Sequence, residues 1–188
     1  PIMDSAKLEL QATIETNRGC PFPCSFCYWG QGGLSRKYRF HGLDRVRLEI
    51  EWAAKNKIRY LFNADSNFGM HKRDEDIAQI LVETKSKFGF PEKFRTCFGK
   101  NADERIYEIA KKLHDAEMEK GITLALQSND VKTLKNINRQ NIKMETYQFA
   151  WVIAHLAGAY RNSTLNLEVN GPGQAVINEL RNIRRQAS

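Results

Sequence analysis

The sequence predicts an α/β fold in which parallel strands alternate with helices. Apolar runs of strand character recur at intervals of about thirty residues, each followed by a segment whose apolar positions have helical spacing. The run before each helix ends in a polar loop. Right-handed crossovers then give an open α/β sheet or a (βα) barrel, and in either architecture ligands collect at the C-terminal ends of the strands.

The elements follow in order. LELQATIET alternates as a strand and runs into a cysteine-rich loop. GLDRVRLEIEWAAKNK carries Val46, Leu48, Ile50, Trp52 and Ala53 with helical spacing, and Asp44 is its expected N-terminal cap. IRYLFNADSNFG is a short buried strand opening into a polar loop. KRDEDIAQILVETKSKFG is an amphipathic helix with acids first, lysines last and Gly89 as its stop. KFRTCFGK is the next strand, where Cys97 is expected as a buried structural thiol, and NADERIYEIAKKLHDAEMEKG is the next helix. ITLALQSND and VKTLKNINRQN repeat the pair. The cysteine loop, NADSNFG, CFGKN and LQSND should therefore face one site.

Composition bounds the rest. The chain of 188 residues is 41% hydrophobic and 27% charged, enough for one sizeable core. No run of about 18 apolar residues occurs and no signal peptide opens the chain, so a soluble, cytoplasmic protein without membrane contact is expected. The net charge of +7 is scattered among acids, which reads as a solvated surface and not as a nucleic-acid footprint. A start at Pro1 rather than methionine fits a fragment or processed piece of a longer protein.

Three of the four cysteines lie in RGCPFPCSFCYWG, with the spacing C-x3-C-x2-C at Cys20, Cys24 and Cys27. Such clustering in a chain of this kind favours reduced thiols and a metal over a disulfide framework. Structural zinc ordinarily takes four protein ligands, and no second knuckle or spaced histidine pair accompanies these three. A dithiol exchange pair would use Cys24 and Cys27 and leave Cys20 without a role. Three thiolates on a 4Fe-4S cluster leave one iron open to a small molecule. All three readings stand on the residues alone.

CPFPCSFC resembles the cluster loop of the radical S-adenosylmethionine (SAM) superfamily, with Phe26 in its aromatic position. IETNRGCPFPCSFCYWG is similar to the members that carry an upstream cobalamin-binding domain, and LALQSNDVKTLKNINRQNI resembles the fourth strand and helix of the same core. The resemblance covers about residues 8–147 and implies a partial (βα) barrel, here truncated. It implies Cys20, Cys24 and Cys27 as ligands of a 4Fe-4S cluster whose open iron binds SAM. It further implies reductive cleavage to a 5'-deoxyadenosyl radical that abstracts hydrogen from an unknown substrate, in an oxidoreductase or transferase.

Carried over by position, Phe26 and Tyr28 lie near the adenine. Asp65 and Ser66 take the methionine amino group where the family commonly has Gly-Gly-Glu, Gln127 and Ser128 bond the ribose or the methionine end, and Arg139 pairs with the carboxylate. Lys100 and Asn101 face the same mouth. The implied partners are a one-electron reductant such as a flavodoxin or ferredoxin, and cobalamin only through an upstream domain. The competing function is a zinc-holding nucleic-acid module, or a remnant without turnover.

Residues 148–188 read as strand, Gly-Pro-Gly turn and helix, either a fifth βα unit after a core at 1–147 or a foreign tail. As a fifth unit, it places Glu168, Asn170 and Gly171 near the adenine. AYRNSTLNLEVNGPGQAVINELR also resembles a segment of the nuclease domain of phage terminase large subunits, over about residues 150–188. One carboxylate, Glu168, cannot organise two metal ions, so no nuclease activity is expected.

Overall fold

A computed structural model describes residues 10–30, 36–99, 104–119, 128, 130–139, 150, 154 and 172–186. The chain divides into two compact units, Pro1–Ala125 and Leu126–Ser188. The predicted boundary at 147/148 and the predicted fifth strand lie outside the described residues.

In the first unit, β1 (Gln11–Ile14) leads through β2 (Asn17–Arg18) and β3 (Arg39–Phe40) to α1 (Leu43–Lys55). The alternation continues with β4 (Tyr60–Phe68), α2 (Arg73–Phe88), β5 (Lys93–Phe98) and α3 (Glu104–Asp115). The main sheet has the order β1-β4-β5, and both pairings are parallel. A further parallel bridge joins Phe94 to Glu119, so the chain leaving α3 returns beside β5, one place further along. The strand expected from Ile122 lies outside the described residues. This is the repeated βα order that the alternation predicts, with a three-stranded parallel sheet at its centre.

Each helix buries the stripe that its spacing marks out. On α1, Val46, Ile50, Ala53 and Ala54 are buried; on α3, Ile106, Ile109, Ala110 and Leu113 are. They meet Leu61, Phe68, Phe94 and Phe98 of the sheet and Ile77, Ala78 and Leu81 of α2 in one core. Leu48 and Trp52, read from the sequence as part of the α1 face, are instead 66% and 59% exposed. A helix offers one stripe of about 100° to a sheet, and these two fall off it.

The helix ends follow simple chemistry. Gly89 closes α2 in the left-handed conformation at φ 75°, its N–H donating to the Lys85 carbonyl at 2.7 Å. Lys85 reaches back to the carbonyls of Ala116 (2.8 Å) and Glu117 (3.1 Å), acceptors that follow α3. Asp44 does not cap α1. Gly42 occupies that position, and Asp44 stands one residue inside the first turn, where its charge still favours the helix dipole.

Cys97 is exposed, not buried. Phe94, Thr96 and Phe98 take the inner face of β5, which turns the residues between them outward. In the second unit, α4 (Val131–Asn136) is capped by Asp130, whose carboxylate accepts from the Thr133 N–H at 2.5 Å, and α5 (Pro172–Gln186) is the last described helix. Among the described residues, no helix is long and apolar enough to cross a membrane.

The core assignment has a direct check. Leu81 is fully buried between helix and sheet, so Leu81→Ala should lower unfolding stability by about 2–5 kcal/mol. Leu48→Ala, on the exposed side, should change it by about 0.5 kcal/mol or less. Denaturant midpoints of the two variants compare them.

Candidate functional site

The cysteine loop is closed at its base before its cysteines are placed. β2 and β3 pair antiparallel with Asn17 opposite Phe40 and Arg18 opposite Arg39, so residues 19–38 form a loop on a two-rung neck. The His41 N–H donates to the Thr16 carbonyl at 3.0 Å and extends that neck by one contact.

Asp65, on the central strand β4, grips the incoming side. Its carboxylate accepts from the backbone N–H of Thr16 (2.7 Å) and of Asn17 (3.0 Å), from Asn17 Nδ2 (2.8 Å) and from the Thr16 hydroxyl. A carboxylate offers about four acceptor sites, so these four donors use its capacity. Asp65 is 2% exposed. The next residue, Ser66, donates its hydroxyl to the Gly19 carbonyl at 2.8 Å and accepts from Asn67 Nδ2 at 3.1 Å. Asn67 is fully buried, and its Oδ1 has no donor among the described residues.

Arg73, in the first turn of α2, holds the other side. Its guanidinium donates to the carbonyls of Thr16 (3.2 Å) and His41 (2.5 Å) and lies 5.1 Å from the centre of the Phe40 ring. Phe40 and Tyr38 both meet His71 edge-on, at 4.8 and 4.5 Å between ring centres. Burial, then the charges of Arg73 and Arg105, holds His71 below the usual imidazole range, and burial raises the Tyr38 phenol.

The turn from β4 into α2 is fixed by Asp74, which is fully buried and accepts from the N–H of Gly69 (2.8 Å) and of His71 (3.1 Å). Gly69 adopts φ +87°, and a Cβ there would stand 2.7 Å from Ile106 Cγ1, so only glycine fits. This turn presents Met70, whose sulfur lies 3.7 Å from the Tyr38 hydroxyl and which packs against the cysteines.

Cys20 and Cys24 are buried with Phe22 in one small cluster, and half-buried Cys27 packs on it. The Cys27 N–H donates to the Cys24 carbonyl at 3.0 Å, closing the turn that separates these two cysteines. Phe26, Tyr28 and Trp29 lie on the outer side of the loop, at 54%, 91% and 52% exposure. Among the described residues, no three Cys, His, Asp or Glu side chains converge as ligands of a single ion. A cubane would spread three sulfurs over three irons, and the three thiols gathered in this loop, none of them in a disulfide, match it in kind.

Ser128 and Arg139 belong to the second unit, and both are buried. Ser128 Oγ accepts from the Asp130 N–H at 3.1 Å, and the Arg139 N–H donates to the Leu134 carbonyl at 2.9 Å. Gln127, Lys100 and Asn101 lie outside the described residues. Sequence reasoning did not single out Thr16, Asn17, Asn67, Met70 or Arg73. Their contacts join segments up to 57 positions apart, and local spacing carries no such signal.

The Radical SAM superfamily profile matches residues 14–174. The chain belongs to this superfamily. Two curated relatives are each 42% identical over 141 residues, or 75% of the chain. They are the cobalamin-dependent radical SAM methyltransferase TokK of Streptomyces tokunonensis and the 2-(S-pantetheinyl)-carbapenam-3-carboxylate methyltransferase of Streptantibioticus cattleyicolor. The chain spans about a fifth of their length, 21% in each case.

Among solved structures, the radical SAM methyltransferase TsrM from Kitasatospora setae, with tryptophan and a SAM analogue bound, superposes with a TM-score of 0.59 at 18% identity. That match covers 78% of this chain and 28% of TsrM, and it supports the shared radical SAM fold. The (βα) order read from the sequence is thus the superfamily's core, and a 4Fe-4S cluster and SAM are its cofactors.

Asp74 allows a pH test of the turn beneath the cysteines. Burial raises its carboxyl to about 6, assisted by the negative Asp65 and opposed by the two backbone donors and by Arg73. Because the folded value lies above the unfolded one, the contribution is greatest at low pH and is lost as pH rises through about 6. Asp74→Asn carries no such term. The stability of wild type relative to this variant should therefore fall between pH 4.5 and 7, as read from urea midpoints at each pH, and a flat difference contradicts the assignment.

Proposed function

We propose that this chain is the catalytic core of a cobalamin-dependent radical SAM methyltransferase, in which Cys20, Cys24 and Cys27 hold the 4Fe-4S cluster. The observation that carries the reading is the 42% identity to two methyltransferases over 141 residues, 75% of the chain. It supports reading the enzyme as a transferase that passes a methyl group to a small-molecule acceptor, beside the hydrogen abstraction that the sequence resemblance implies. Cobalamin would come from a part of the protein beyond this core, since TokK is cobalamin-dependent and TsrM binds cobalamin.

Cluster and SAM together supply one-electron cleavage of a sulfonium bond. The chain's residues supply the setting. Cys20 and Cys24 would hold the cluster from the buried side of the loop and Cys27 from its half-buried side. Exposed Phe26 and Tyr28 offer flat faces for stacking an adenine. Asn67 Oδ1, buried with no donor among the described residues, is a better acceptor for the methionine ammonium than Asp65, whose sites are filled. Ser66 lies between them and orients Asn67. Gln127, Ser128 and Arg139 remain candidates for SAM contacts on the strength of the sequence resemblance alone. An electron donor of the flavodoxin or ferredoxin type and a reducing compartment follow from thiolate ligation.

The test is anaerobic reconstitution with iron and sulfide, followed by incubation with SAM, reductant and cobalamin. The expected result is an iron-sulfur absorption and formation of 5'-deoxyadenosine or S-adenosylhomocysteine. The variant with all three cysteines changed to alanine should retain neither. Equal iron binding by that variant is the result that refutes the ligand assignment.

A further inference from the structure

We propose that Asp65 and Arg73 are positioning residues that fix the cysteine loop by clamping its neck from opposite sides. The proposal rests on the reading of that loop as the cluster holder, and it gives Asp65 a role other than the ligand contact expected from its position in the sequence.

The neck cannot hold itself. Two antiparallel rungs close a loop of residues 19–38, and a ladder so short is not stable alone in water. Closing a loop of this length also costs entropy that two rungs do not offset. The structure adds the missing restraint at one residue. Thr16 is held at both of its backbone groups: its N–H donates to Asp65, and its carbonyl accepts from the His41 N–H and from Arg73. A carboxylate on one side of this residue and a guanidinium on the other polarise the hydrogen bonds between them.

The two clamps also divide the neck. All four donors to Asp65 come from Thr16 and Asn17, on the incoming strand. Arg73 bridges the incoming carbonyl of Thr16 and the outgoing carbonyl of His41, with Phe40 under its guanidinium. Asp65 stands on the central strand and Arg73 on a helix anchored in the core, so both tie the loop to the rigid part of the fold. Ser66 adds a bond to Gly19, the residue before Cys20. The path from sheet to first cysteine is therefore continuous.

The experiment uses the metal-free protein and needs no cofactor. Iodoacetamide labelling, followed by mass spectrometry in native buffer, reports the exposure of each thiol. Cys97 is exposed and serves as the internal reference, while Cys20 and Cys24 are 1% and 0% exposed. In Asp65→Asn and in Arg73→Met, labelling of Cys20 and Cys24 should accelerate by about tenfold, a loss of local protection, with Cys97 unchanged. Arg73→Lys, which keeps the charge and loses the fork, should fall between wild type and Arg73→Met. Leu81→Ala lowers global stability without touching the neck, and it should leave the labelling ratio as in wild type.

Rates for Cys20 and Cys24 within about twofold of wild type in both clamp variants overturn the proposal. So does acceleration no greater than in Leu81→Ala at equal melting temperature, or a general rise that includes Cys97. The cluster reading fails by a different observation, a wild-type protein that takes up no iron and sulfide, and the labelling result stands apart from it.

Discussion

The buried carboxylate of Asp65 is the constraint on which the first unit is organised. An ionised group removed from water is costly unless its partners replace the solvent it has lost. Four donors do so here, and all come from two consecutive residues at the exit of β1. The satisfied charge thereby dictates where the chain must go after the first strand. The cysteine loop begins just beyond the two residues that the carboxylate holds.

Around this anchor the architecture separates stability from chemistry. The apolar core lies where α1, α2 and α3 meet the sheet, and its residues are ordinary aliphatic and aromatic side chains. At the C-terminal end of β4 the inward positions change from Leu61 to Asn63, Asp65 and Asn67, all buried. A strand that becomes polar while remaining buried cannot owe its sequence to hydrophobic packing alone. Its polar end faces the neck and the cysteine loop, and the apolar portion keeps that end in place.

The sequence made some features legible because local periodicity or a single residue's chemistry controls them. The stripe Ile106, Ile109, Ala110 and Leu113 and the left-handed Gly89 are of this kind. The cysteine spacing was equally local, and it led to the superfamily. Features set by distant contacts were not legible: the hold of Asp65 on Thr16 and Asn17 joins residues 49 and 48 positions apart. Cys97 was misread for a different reason, since the alternation of Phe94, Thr96 and Phe98 already assigns it to the outer face. Leu48 and Trp52 show that apolar character alone does not define a buried stripe.

Gly69 has a consequence for altering this protein. Replacing glycine by alanine in turns is a common route to stabilisation, because it narrows the unfolded ensemble. Here the backbone is left-handed and the space that a methyl group needs is filled by Ile106 of the following helix. The close approach of α3 to the turn depends on the missing side chain, so a library built for thermal robustness should hold this position constant and vary the exposed face of α1 instead.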